Sequence, residues 1–278
     1  MAIRNRFPER SGLISEVEIA YFRSFYKVKI EKLDRLNVFF GENDTGKSNI
    51  MRALRHFFYG AAAEQLGFDF DIDFSQSRAS EAAGDGDVRR FLYIKVTFRT
   101  PASHADALGK EFYVKRTWSP SGYREDYSRH IERPGQKQSL TKLLSKIAFI
   151  YVPAVKGPDV YSELLQEAYN AIAGSEQFSR ALTAFTDEIR TQTLSLGQSL
   201  NRSLGMSSEL SPPTDLEELF GTLDFQTMSG AGTPMSLLKQ RGDGVQARHI
   251  PEIMAFISEK SEHQYHIWAL KNQKTLSV

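Results

Sequence analysis

No cysteine occurs in the 278 residues. That absence excludes a disulfide framework, a thiol nucleophile and a thiolate zinc site. It also fits a reducing compartment, and a cytoplasmic location is expected. No run approaches the roughly 20 apolar residues that a membrane span needs. Met1 to Arg10 carry three arginines and no apolar stretch, so no secretory signal is read there and no membrane partner is expected. A net charge of +1 argues neither for nor against nucleic acid. The six histidines are scattered, and although His263 and His266 sit three apart, no third ligand completes a metal set. No Ser/His/Asp arrangement stands out. What is present is ordinary globular composition, 41% hydrophobic and 25% charged, with enough chain for a sizeable core.

Charge is distributed unevenly. Ala61 to Val88 hold seven acidic residues and one basic, whereas Arg89 to Lys146 hold thirteen basic and five acidic. One reading is a solvated β-lobe beside an acidic loop. The other is a surface that lies along a phosphate backbone.

Periodicity organises the rest. Ile14 to Ala20 alternate as a half-buried strand, Phe22-Arg23-Ser24-Phe25 reads as a turn, and a second strand follows around Lys27 to Ile30. Leu36 to Phe40 form a short apolar run before Gly41, which predicts a buried strand. After Ser48, Ile50, Leu54, Phe57 and Phe58 fall near helical spacing, with Gly60 as the stop. Ala61 to Asp87, acidic and without a clear period, is expected to be a mobile loop. Phe91 to Phe98 and Phe112 to Trp118 predict paired antiparallel strands, and Ala148 to Val152 a further strand stopped by Pro153.

From about Tyr161 to Met206 the pattern is helical. Leu164, Leu165, Ala168, Tyr169 and Ile172 form one stripe, and Phe178, Leu182, Phe185 and Ile189 another, read as core or partner-helix faces. Ser211-Pro212-Pro213 marks a break, Leu223 to Met228 a strand, and Ser229 to Gly232 a loop of small residues. Ser236 to Gly244 lead into a helix over Val245 to Lys260, and His266 to Leu270 read as a last strand. No internal repeat is found.

One motif carries chemistry. Gly41-Glu42-Asn43-Asp44-Thr45-Gly46-Lys47-Ser48 has two glycines separated by four residues, then Lys and Ser, between an apolar run and a helix. The glycines let several N–H groups converge on one anion, and the helix start adds its unpaired N–H groups and dipole. Lys47 is placed to reach the β- and γ-phosphates, and the Ser48 hydroxyl to ligate Mg²⁺. The pattern predicts ATP as cofactor with Mg²⁺.

Asn43 and Asn49, with Phe22-Arg23-Ser24-Phe25 upstream, resemble the SMC/RecF class of ABC-type ATPase heads. The resemblance implies an α/β P-loop NTPase fold of ABC-head type with an antiparallel β-lobe and a helical insertion. It implies that Arg23 helps hold the nucleotide beside Gly41, Asn43, Asp44, Thr45, Gly46, Lys47, Ser48 and Asn49. Arg241-Gly242-Asp243-Gly244-Val245-Gln246, at a helix start, resembles the ABC signature motif, which in that class caps the γ-phosphate held by the other protomer. Arg241 stands where the signature serine is usual. Heads of this class dimerise around two nucleotides, so a homodimer or higher oligomer is implied, with DNA and a nuclease or effector subunit as further partners. Ile150-Tyr151-Val152-Pro153-Ala154 looks most like the overcoming-lysogenization-defect (OLD) family of phage defence, and Lys156 stands where a Q-loop glutamine is usual.

On this reading residues 1–278 form one incomplete head. Its parts are a hairpin and P-loop at 1–60, a β-lobe at 88–152, a helical insertion at 158–210, a signature region at 211–270 and a tail at 271–278. ABC-type heads hydrolyse ATP with an acidic pair after an apolar strand, one carboxylate supporting Mg²⁺ and the next orienting water. Here His266-Ile267-Trp268-Ala269-Leu270 run into Lys271-Asn272-Gln273-Lys274, so no catalytic residue is identified and weak or absent hydrolysis is expected. The functions in view are an ATPase of DNA repair or antiviral defence, a non-catalytic ATP-gated scaffold or DNA clamp that regulates a nuclease, and an unrelated P-loop kinase. The second glycine motif and the lack of an arginine-rich lid speak against the kinase.

Permitted codons for Lys271 to Ser277, read one nucleotide earlier, can spell Glu-Glu-Pro-Glu-Asn-Ser-Leu, the Walker B sequence that the resemblance to the OLD-like family implies after Trp268-Ala269-Leu270. The tail is therefore expected to be read out of frame on a truncated ATPase; the alternative is a genuine short protein with a polar C-terminus. Sequencing the gene from codon 260 well past the stop tests this. An open −1 frame beginning Glu-Glu-Pro-Glu is the expected result, and immediate closure of that frame favours the ATP-gated binding role.

Overall fold

The computed structural model describes residues 12–42, 45–84, 89–152, 158–204, 216–223, 225–228, 234–237 and 243–271. In chain order its elements begin with β1 (Ile14–Phe22), β2 (Phe25–Ile30), α1 (Lys47–Tyr59), α2 (Phe70–Asp73), α3 (Gln76–Gly84) and β3 (Leu92–Arg99). They continue with α4 (Ala105–Leu108), β4 (Glu111–Ser119), β5 (Gly122–Tyr127), α5 (Pro134–Leu144), β6 (Ile147–Val152), α6 (Pro158–Ala173) and α7 (Glu176–Leu204). The last are α8 (Glu217–Thr222), β7 (Gln226–Met228), β8 (Pro234–Leu237), α9 (Asp243–Lys260) and β9 (Tyr265–Leu270). The chain divides into two compact units, one of Met1–Val152 with Tyr265–Lys271, the other of Pro153–Gln264 with Asn272–Val278.

The first unit is built on an antiparallel sheet of order β2-β1-β3-β4-β5. Alternation explains it. In β3, Leu92, Ile94, Val96 and Phe98 are fully buried while Tyr93, Lys95, Thr97 and Arg99 stay partly exposed. Pairing in register sets Val17 against Val96, Ile19 against Ile94, Val96 against Val114 and Phe98 against Phe112, so β1, β3 and β4 turn their apolar sets to one side. α1 covers that side with Ala53, Leu54 and Phe57. Phe98 lies between Phe57 at 6.2 Å and Phe112 at 5.3 Å, ring centre to ring centre.

The other sheet face disposes of the basic stretch. Lys95 and Lys115 stand directly opposite each other, an unfavourable cross-strand pair on its own. Glu18 of β1 sits 3.7 Å from Lys95 and 3.3 Å from Lys27, and Asp126 of β5 pairs in register with Lys115. Burial pushes the Glu18 carboxyl up, but the Tyr93 hydroxyl and the lysines outweigh it and hold it below its ordinary range. A count along 89–146 misses Glu16 and Glu18, which the fold brings from β1.

Two expectations fail here. Leu36 to Phe40 are not a buried strand but irregular chain, with Leu36 83%, Val38 72% and Phe40 90% exposed. Local bonds compete with any ladder: the Asp34 N–H donates to Asn37 Oδ1 at 2.9 Å, and Asn37 Nδ2 donates to the Asp34 carbonyl at 2.7 Å. The acidic stretch is not a loop over its described part. It holds a 3₁₀ segment, Gly60–Leu66, then α2 and α3, and buries Ala63, Phe68, Asp73 and Phe74. Asp69 explains part of the acidity, because its carboxylate caps α2 by accepting from the Asp71 and Ile72 N–H groups.

β6 and β9 form a separate parallel pair, Ile147 opposite Tyr265 through Val152 opposite Leu270, with Phe149 stacked on Phe58 of α1 at 4.7 Å. In the second unit, α6 packs against α8 and α9. Tyr169 meets Phe178 at 5.6 Å and Phe220 at 5.0 Å. The stripe on α6 is therefore core. That on α7 packs only at its start, and Phe185 is 50% exposed. The predicted strand over Leu223 to Met228 is confined to Gln226–Met228, because the Leu223 N–H closes α8 on the Phe220 carbonyl at 3.1 Å. Pro153, the Ser211-Pro212-Pro213 break and the Ser229 to Gly232 loop lie outside the described residues.

Truncating Phe98 to alanine should cost about 3–5 kcal/mol of unfolding free energy, as for a fully buried aromatic. Lys115→Ala, which removes a solvent-facing charge, should change it by less than about 1 kcal/mol. Urea denaturation of both variants measures the contrast.

Candidate functional site

The start of α1 is unusual for what it lacks. Its N-cap is Gly46, with φ 86°, and no side chain caps it or places an acid in its first turn. The first N–H groups of a helix have no intrahelical acceptor, so this end presents unspent donors and a positive dipole end. Only glycine fits the position. Its φ lies in the left-handed region, and a Cβ there would come within 2.7 Å of the Phe25 ring and 3.3 Å of Ser24 Oγ. Gly41, the other glycine of the pattern, also has positive φ, 151°.

Lys47 folds over the loop. Its ammonium donates to the Gly41 carbonyl at 2.8 Å, to the Glu42 carbonyl, and to Thr45 Oγ1 at 3.2 Å. Thr45 Oγ1 in turn donates to the Glu42 carbonyl at 2.9 Å. The lysine thus lies inside the curve that the glycines make, beside the uncapped helix end. Ser48, half-buried, occupies the second position of α1. This donor set fits a phosphate chain: a cation, an open helix N-terminus and a hydroxyl. It fits Mg²⁺ through the Ser48 hydroxyl, and among the described residues no group of three or more His, Asp or Glu side chains could hold a metal.

The β1–β2 turn closes on the same place. Asn49 Nδ2 donates to Ser24 Oγ at 2.8 Å, which ties α1 to the turn. Arg23 sits at φ 49° and its Nε donates to the Asp73 carboxylate at 2.5 Å. His56 lies beside that carboxylate, Nε2 to Oδ2 at 3.7 Å. Burial lowers the imidazolium pKa to about 4, outweighing the pull of Asp73, so His56 is neutral near pH 7.

Of the residues read as a nucleotide site, Arg23, Gly41, Thr45, Gly46, Lys47, Ser48 and Asn49 gather at this turn and helix start. Asn43 and Asp44 lie outside the described residues, as do Arg241 and Gly242. Asp243, Gly244 and Gln246 fall in the first turn of α9. Three further participants are Ser24 and Phe25, which the hairpin sequence contains, and Asp73, which no motif marks.

The AAA ATPase domain family matches residues 13–205 of the chain. No curated protein matches it. Among solved structures, an SMC head bound to the C-winged-helix domain of ScpA is 14% identical, covering 95% of this chain and 90% of that one, with a TM-score of 0.42. An SMC ATPase described for ATP-driven dimerisation and DNA-stimulated activation is 22% identical over 48% of this chain and 78% of that one, TM-score 0.35. The ATP complex of the recombination mediator RecF is 18% identical over 75% of this chain and 48% of that one, TM-score 0.34. All three superpose loosely. No helix among the described residues is long and apolar enough to cross a membrane.

The geometry at Gly46 has a measurable counterpart. Gly46→Ala and Gly67→Ala share the left-handed cost of about 1–2 kcal/mol, since Gly67 has φ 89°. A Cβ at Gly67 meets nothing within 4 Å, whereas at Gly46 it strikes Phe25, adding about 1–3 kcal/mol of overpacking. Thermal or urea unfolding should therefore rank Gly46→Ala as clearly the more damaging.

Proposed function

The chain belongs to the AAA ATPase domain family, and from that premise we propose that it binds ATP with Mg²⁺ at the loop Gly41 to Ser48. The observation that carries this is the uncapped start of α1, with Lys47 folded across the loop beside it. Helix N–H groups and the lysine hold the phosphates, and the turn at Arg23 and Ser24 borders them. The Ser48 hydroxyl is the protein's ligand to Mg²⁺, which takes its other oxygens from phosphates and water.

We further read the chain as one head of the SMC/RecF class, nearest the OLD family. Phe22-Arg23-Ser24-Phe25, Asn49 and Ile150-Tyr151-Val152 support the reading. In it, ATP binding drives dimerisation, with Arg241 to Gln246 reaching the nucleotide of the second copy, in DNA repair or phage defence. Hydrolysis is impaired, since the residues after β9 are Lys271-Asn272-Gln273-Lys274, cations and amides where water activation needs a carboxylate. The same residues support a second reading, a non-catalytic ATP-gated scaffold or DNA clamp acting on a partner nuclease.

Lys47→Ala should abolish binding of a fluorescent ATP analogue in the presence of Mg²⁺, measured by anisotropy. Retained affinity sinks the ATP reading. Phosphate release in the same samples separates a slow ATPase from a scaffold that binds without turnover.

A further inference from the structure

Asp73 is fully buried, yet nothing in the sequence marks it for a function. Both its oxygens are engaged: Oδ1 accepts Arg23 Nε at 2.5 Å and Oδ2 accepts the Asp69 N–H at 3.2 Å. Its main-chain carbonyl also accepts the Arg23 N–H, at 2.7 Å. One residue thus grips Arg23 by backbone and side chain together. The grip is extended on either side. Ser75 donates its N–H to the Tyr21 carbonyl at 2.9 Å, and Phe22 and Phe74 form an antiparallel bridge.

A carboxylate in a core is costly unless it is paired and hydrogen-bonded. With His56 neutral, Arg23 is the full positive charge in its ion pairs. The packing of an apolar turn does not require such a pair. What the pair does is engage Arg23 at φ 49°, the positive φ that the first residue of a two-residue hairpin loop between Phe22 and Phe25 takes and that non-glycine residues seldom adopt. That conformation aims the next two residues at the phosphate loop, where Ser24 receives Asn49 and Phe25 lies against Gly46. Only Nε of Arg23 is spent on the carboxylate. Among the described residues neither Nη makes a hydrogen bond, which leaves two donor groups for an anion.

We infer that Asp73 is a positioning residue for nucleotide binding: through Arg23 it holds the β1–β2 turn against the start of α1, so that Ser24, Asn49 and the Arg23 guanidinium are preset for a nucleoside triphosphate. The inference rests on the ATP reading of the loop and deepens it. Preset donors bind an anion more tightly than donors that must first be ordered.

A double-mutant cycle on the full chain tests it. Wild type, Asp73→Asn, Arg23→Ala and the double variant are titrated with a methylanthraniloyl ATP analogue and Mg²⁺, and melted without nucleotide. Asp73→Asn should raise Kd about tenfold, about 1.4 kcal/mol of binding free energy, and should add nothing in the Arg23→Ala background. Equal losses in both backgrounds, or an unchanged Kd, overturn the inference. Should Asp73→Asn melt below the assay temperature, Ser24→Ala carries the test from the solvent side. It should also weaken binding, and an unchanged Kd overturns the inference. Wild type that binds no ATP sinks the nucleotide reading itself. Wild type that binds while Lys47→Ala does not, with Asp73→Asn normal, sinks only the role of Asp73.

Discussion

The close approach at Gly46 is the constraint on which the site depends. An aromatic ring from the hairpin sits where any side chain at that position would be, and the backbone turns through a left-handed conformation to enter α1. That single contact sets where the helix begins and which N–H groups are left open. It also sets how near the β1–β2 turn comes to the loop. The hairpin is held from its other side by the core sheet, in which β1 is the second strand. The position of the helix end is thus inherited from strand pairing, which is cooperative and dense, rather than from the loop, which is short and exposed.

Electrostatics follows the same division. On the solvent face of the sheet, lysines are matched across strands by Glu18 and Asp126, so charges of the basic stretch are settled locally. At the helix start the opposite holds. No acid stands in the first turn, and the cation there is met by carbonyls and a hydroxyl rather than by a carboxylate. Among the described residues, an incoming anion therefore meets no carboxylate in the first turn of that helix. In the low-dielectric surroundings of a bound ligand, that difference separates a binding site from a decorated surface.

Strands β1 to β4 and the long helices are legible because their side-chain period survives in the sequence: Leu92, Ile94, Val96 and Phe98 are buried in strict alternation. The loop was legible because glycines and lysine at fixed spacing have few other uses. Asp73 was not, because its partner Arg23 lies fifty residues away and the bond exists only once Phe22 and Phe74 pair. The acidic stretch misled because helices of four and nine residues are too short to display a period, and because one of its acids caps rather than solvates. Leu36 to Phe40 misled for a different reason. Its hydrophobicity does not entail burial, because Asp34 and Asn37 beside it divert the backbone into local bonds. β5 carried a signal that was passed over, the Pro120-Ser121-Gly122 turn that folds it back on β4.

The ammonium of Lys47 has a consequence for binding as well as for shape. By bonding to the carbonyls of Gly41 and Glu42 it keeps the loop curved before any ligand arrives. On the proposed ATP reading, a phosphate chain exchanges partners with one side chain whose positive charge is already beside the helix start.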